Sequence, residues 1–126
     1  MAPAMDMQTR TFYSLNNEPL NLNEGRSGKL LIFFQTWCGP CIKELRVWSN
    51  YLETHRDIRV YAITDESPAE VKPLLRIVHP EISIAYSRES LRSLQIYSFP
   101  TAYYFPAGSK TPLISKVGAI LPSDIH

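Results

Sequence analysis

Residues 30–45 read Leu30-Leu31-Ile32-Phe33-Phe34-Gln35-Thr36-Trp37-Cys38-Gly39-Pro40-Cys41-Ile42-Lys43-Glu44-Leu45. The opening run is apolar at every position, the pattern of a central strand covered on both faces. Helical spacing follows: Cys41, Leu45, Trp48 and Leu52 line one stripe, while Lys43, Arg46, Asn50 and Glu53 fall elsewhere. A strand therefore runs directly into a helix. The only two cysteines of the chain sit at the junction.

That placement has chemical consequences. With Cys38 as the helix N-cap and Gly39 as the first helical residue, the cap side chain accepts from a backbone N–H two or three residues on. Pro40 has no N–H, so the Cys41 amide is the natural donor to the Cys38 sulfur. A thiolate accepts that bond better than a thiol. The helix-end field is worth roughly 0.3–2 kcal/mol, or about one pKa unit at 1.4 kcal/mol each. Together they bring Cys38 from about 8.5 toward neutrality, where an attacking thiol works best. The three-residue helical spacing keeps Cys41 on the same face and suits the short Cα separation of a disulfide. The expected cycle is attack by Cys38, a mixed disulfide, and resolution by Cys41. The other reading of such a pair is a dithiol that binds a partner or handles a soft ion such as Cu(I).

Working outward, Phe12 to Leu22 with the turn Asn16-Asn17-Glu18-Pro19 suggests a short edge hairpin, and residues 1–11 a loose, disordered tail. Gly25 to Lys29 reads as a turn. Ile58 to Thr64 is β-rich. Ser67-Pro68-Ala69-Glu70 is a capping-box sequence that predicts a helix to about Val78, with a kink or late start at Pro73. Ile82 to Tyr86 reads as a strand and Ser87 or Arg88 to Leu94 as a short helix. Thr101 to Phe105 and Leu113 to Val117 read as strands joined by a Pro-Gly turn. The order β-α-β-α-β-α-β-β predicts a layered α/β fold, with residues 12–126 as a single domain.

Composition narrows the rest. The chain has 126 residues, 44% apolar and 20% charged, with net charge +1. Such a balance offers no broad field for nucleic acid or an anionic membrane. Two cysteines cannot close a four-ligand zinc site alone, and Ile42 after Cys41 breaks the haem-attachment pattern. No metal and no cofactor is expected. No apolar run approaches a membrane span, and residues 1–8 lack the basic n-region and apolar core of a signal peptide. His55 and His79 are expected at helix ends, and Tyr103 and Tyr104 as strand packing.

The stretch Phe33 to Leu45 resembles the active-site strand and helix of the thioredoxin superfamily, and more closely its TlpA/ResA-like branch of extracytoplasmic thiol–disulfide oxidoreductases. Phe99-Pro100-Thr101 is similar to that family's cis-proline loop, Leu20-Asn21-Leu22 to its lead-in strand, and Val117-Gly118 to its last strand. The interval from Asp65 to Pro100 is longer than in thioredoxin itself and resembles the helix-plus-strand insertion of the TlpA-like branch. The resemblance implies a thioredoxin-like fold, a mixed sheet flanked by helices, with a C-terminal helix curtailed near His126. It implies a monomer cycling the Cys38-Gly39-Pro40-Cys41 pair, with protein disulfides or dithiols as substrates and a membrane or soluble thiol reductant as electron donor. Gly39-Pro40, the dipeptide of thioredoxin, points to the reducing direction. Trp37, Gly39, Pro40, Phe99 and a cis Pro100 would contact substrate.

The resemblance also implies an acid serving the cysteines. Thioredoxin keeps a buried Asp in the preceding strand; here that position is Ile32. A Glu after the second strand looks to take the part in the ResA-like branch, which nominates Glu66 as acceptor of the Cys41 proton. A solvated loop acid is the other reading of Glu66. Arg46 stands where the family commonly has a helix-kinking Pro, and Phe34 replaces a usual Trp. An extracytoplasmic location, periplasmic or membrane-anchored, would need a signal segment upstream of residue 1; a cytoplasmic chain is the alternative.

Overall fold

The computed structural model describes residues 10–22 and 27–126; residues 1–9 of the expected tail and the start of the expected turn, Gly25 and Arg26, lie outside them. Strands β1 (Phe12–Ser14) and β2 (Pro19–Leu20) form the edge hairpin. Then come β3 (Gly28–Phe33), helix α1 (Gly39–Leu52), β4 (Ile58–Thr64) and the short helix α2 (Pro68–Val71), which runs into a 3-10 segment Lys72–Arg76. β5 (Ile82–Tyr86), a 3-10 turn Leu91–Leu94, β6 (Thr101–Phe105), β7 (Ile114–Val117) and α3 (Pro122–Ile125) complete the order. The sheet reads β2-β1-β5-β4-β3-β6-β7. β3, β4 and β5 are parallel, and β6 and β1 pair antiparallel to them on either side.

β3 is buried along its whole length, as an apolar strand between two neighbours must be. Its alternate residues serve two cores. Leu30 and Ile32 pack with Cys41, Leu45, Trp48 and Leu52 of α1. Leu31 and Phe33 pack on the other face with Phe12, Leu91, Leu94 and Phe105. Burying one such side chain contributes about 1.5–3 kcal/mol, so the α1 stripe alone pins the helix across the sheet. α1 runs unbroken through Arg46. Tyr103 enters the second core, and Tyr104 packs at the edge of the first.

Three boundaries differ from expectation, each for a physical reason. Gly28 and Lys29 open β3 rather than closing a turn. A Cβ on Gly28 would stand 3.0 Å from the Tyr104 hydroxyl, so glycine there admits a tyrosine from the neighbouring strand. The helix after Ser67 keeps its capping box, with Ser67 N–H donating to Glu70 Oε1 at 3.1 Å. It ends at Val71 because Pro73 supplies no N–H, and the chain tightens into a 3-10 turn. The helix expected from Ser87 is confined to Leu91–Leu94. Ser87 Oγ takes the Glu89 N–H at 3.1 Å, a local bond that competes with helix.

Candidate active site

β3 carries the chain to Phe34, whose N–H donates to the Ile63 carbonyl at 3.0 Å. A tight turn follows, closed by Cys38 N–H on the Gln35 carbonyl at 3.1 Å. Cys38 has extended backbone angles (φ −88°, ψ 105°) and is the N-cap of α1. With Pro40 in the first turn, the Cys41 N–H donates to Cys38 Sγ at 3.2 Å. No acidic residue occupies that turn to offset the positive helix end. Cys38 and Cys41 are joined as a disulfide, with Cα atoms 5.2 Å apart. Cys41 is fully buried and Cys38 is 4% exposed, beneath exposed Gly39 and Pro40.

The turn before Cys38 is braced by two adjacent carboxylates. Glu66 accepts from the Thr36 N–H through Oε1 and from the Thr36 hydroxyl through Oε2, each at 2.8 Å. Asp65 accepts from Gln35 Nε2 and from the Leu91 N–H, also at 2.8 Å. The Glu66 carboxylate also accepts from the Thr64 hydroxyl at 3.3 Å. Its hydrogen bonds thus go to Thr36, on the loop leading to the cysteines, and to Thr64 at the end of β4.

Across the site, Phe99-Pro100 is a cis peptide. Pro100 is buried and its carbonyl accepts from the Gly118 N–H at 2.7 Å. The half-buried Phe99 ring meets the Trp37 ring edge-on, with centroids 6.3 Å apart. Trp37 is 74% exposed, an unusual state for the largest apolar side chain. His55 stacks on Tyr51 and His79 faces Glu53 at 3.7 Å, so both histidines sit past helical ends with structural partners.

Sequence reasoning passed over Glu44. It lies three residues after Cys41, hence on the same helical face, and is 1% exposed. The Ile120 N–H donates to Oε2 at 2.9 Å, while Oε1 has no partner among the described residues. Burial pushes this carboxyl up to about 8, against the opposing pull of the Ile120 N–H and the Lys116 charge. The signal was available: Cys41, Glu44, Leu45 and Trp48 follow i, i+3, i+4, i+7, so a glutamate interrupts the apolar stripe.

No model of a known protein family matches the chain. Among curated proteins, the protein disulfide-isomerase of Gallus gallus is 31% identical over 88 residues, 68% of this chain. The chain spans about 13% of that relative's length. Among solved structures, a putative thiol:disulfide interchange protein DsbE from Chlorobium tepidum superposes with a TM-score of 0.70 at 20% identity, covering 91% of this chain and 84% of its own. The fold is thioredoxin-like. The pneumococcal exposed lipoprotein thioredoxin from Streptococcus pneumoniae gives 0.73 at 14% identity, covering 92% of this chain and 93% of its own. Within this thioredoxin-like frame the disulfide and Glu44 lie at the start of α1, and the cis Phe99-Pro100 peptide lies just ahead of β6.

Proposed function

We propose that the chain is a thiol–disulfide oxidoreductase that reduces protein disulfides by cycling the Cys38–Cys41 pair. The observation that carries this is the Cys38 cap, a sulfur held at a helix N-terminus with the Cys41 N–H aimed at it. Reduced Cys38 attacks one sulfur of a target disulfide as the thiolate, and the other target sulfur leaves as a thiolate. Cys41 gives its proton to Glu44 and attacks Cys38 Sγ. The second target sulfur leaves, and the Cys38–Cys41 disulfide remains. Two electrons have passed to the target, and a thiol reductant must return them.

Glu44 suits the proton step better than Glu66. Proton transfer is efficient between groups of similar pKa. A carboxyl near 8 approaches the range of a cysteine thiol, about 8.5. Glu66 is engaged in holding Thr36, so its part is to fix the loop ahead of the nucleophile. Trp37, Gly39, Pro40 and Phe99, with the backbone beside Pro100, form the face a substrate strand would meet. An extracytoplasmic location is the reading we favour, supported by the exposed lipoprotein of the same fold.

Trapping tests the two cysteine roles. Cys41→Ser is expected to accumulate mixed disulfides through Cys38 when mixed with reduced-and-oxidised protein substrates, visible as reductant-sensitive adducts on gels. A clean gel counts against the assignment. Anaerobic Cu(I) titration separates the alternative: tight uptake with negligible disulfide exchange would make the pair a carrier dithiol.

A further inference from the structure

Two hydrogen bonds tie α1 to the chain after β7, and a third ties that chain to Pro100. Glu44 and Trp48 are four residues apart, on one helical face. Both reach the same distant residue. The Ile120 N–H donates to Glu44 Oε2 at 2.9 Å, and the Ile120 carbonyl accepts from Trp48 Nε1 at 2.8 Å. Two residues earlier, the Gly118 N–H donates to the Pro100 carbonyl at 2.7 Å. Gly118 has φ +126°, and a Cβ there would meet only Lys116 Cε at 3.9 Å. Backbone shape, and not space, calls for glycine at that step. Trp48 and Ile120 are fully buried. Freeing the Ile120 carbonyl would leave a buried acceptor unpaired, so the segment has a strong reason to stay where Trp48 holds it.

We propose that Trp48 is a positioning residue for the proton step: by holding the Ile120 carbonyl it keeps the Ile120 N–H on Glu44 Oε2, leaves Oε1 as the oxygen that exchanges a proton with Cys41, and links that carboxyl to the Pro100 side of the substrate face. This rests on reading Glu44 as the proton partner of Cys41. The step is balanced: the Cys41 S–H bond breaks, an O–H bond forms at Glu44 Oε1, and no electrons change hands until Cys41 attacks Cys38 Sγ. Among the described residues the charge acting on Glu44 is that of Lys116 from β7, itself 3.9 Å from Asp124 of α3; the cysteine pair stands at the start of the same helix.

The test uses the reduced chain and Ellman's reagent. Attack by Cys38 releases one thionitrobenzoate, and resolution by Cys41 releases the second. The second phase, followed against pH, reports Glu44. In Trp48→Phe, and in a chain carrying 3-benzothienylalanine at 48 (the indole shape without its N–H), the midpoint of the second phase is expected to move up by about half a pH unit or more. At neutral pH that is roughly a threefold slowing, by the tenfold-per-unit relation. The first phase should be unchanged. In a Glu44→Gln background the Trp48 substitutions should shift nothing further. A lowered melting temperature with an unmoved midpoint overturns the proposal, as does an equal shift in the Glu44→Gln background. Should Glu44→Gln itself match the wild type, the proton role of Glu44 fails, and the positioning role with it.

Discussion

Cys38→Ser is expected to remove disulfide reduction, lowering turnover on insulin disulfides by on the order of 10³-fold or more, because a serine hydroxyl cannot supply the thiolate on which every later step depends. The loss should not come from unfolding. The disulfide spans a sequence separation of only 3, so in the chain-entropy view its removal costs about 2 kcal/mol. A domain with roughly 5–15 kcal/mol of stability stays folded after that. Circular dichroism and the melting curve of the variant, taken beside the assay, separate the two effects. A variant that is folded and still active would move the nucleophile elsewhere.

Glu44→Gln is expected to act in opposite directions on stability and on chemistry. In the oxidised fold the carboxyl is raised to about 8 from an ordinary 4.5. Between those values the folded protein holds a proton that the unfolded chain has released. Stability therefore falls as pH rises through that window, by roughly 4 kcal/mol at pH 8. Glutamine keeps an acceptor for the Ile120 N–H and cannot ionise. The variant should thus keep its stability from pH 5 to 8 while the wild type loses it, as urea titrations at a series of pH values would read. Resolution by Cys41 should slow by about a hundredfold, the low end for a lost general base. Identical pH dependence in both proteins would contradict the buried, proton-holding carboxyl.

The elements most legible in the sequence were those whose determinants are local. The cap at Cys38 follows from Gly39, Pro40 and Cys41 alone, and the central strand from its uninterrupted apolar run. The capping box at Ser67 and Glu70 was equally local, and only the reach of its helix was misjudged, because Pro73 costs a hydrogen bond that no distant contact restores. Gly28 was misread because its neighbour is Tyr104, which the chain brings alongside only after β6 has paired with β3. Glu44 was overlooked for the same kind of reason. Its partner lies 76 residues away, and nothing near it in the sequence says that the Ile120 N–H will be there to receive it. Glu66 was noticed by position, yet what it does depends on Thr36, 30 residues earlier, folding back against β4.

The central claim is that the start of α1 makes Cys38 an anion near neutral pH. The rate of Cys38 alkylation by iodoacetamide, measured against pH in reduced Cys41→Ser, tests it most directly. We expect a midpoint at least about one unit below the 8.5 of a free cysteine, with reactivity already near its plateau at pH 8. A midpoint at or above 8.5 would mean that neither the helix end nor the backbone N–H at position 41 favours the thiolate, and the account of this site would be wrong.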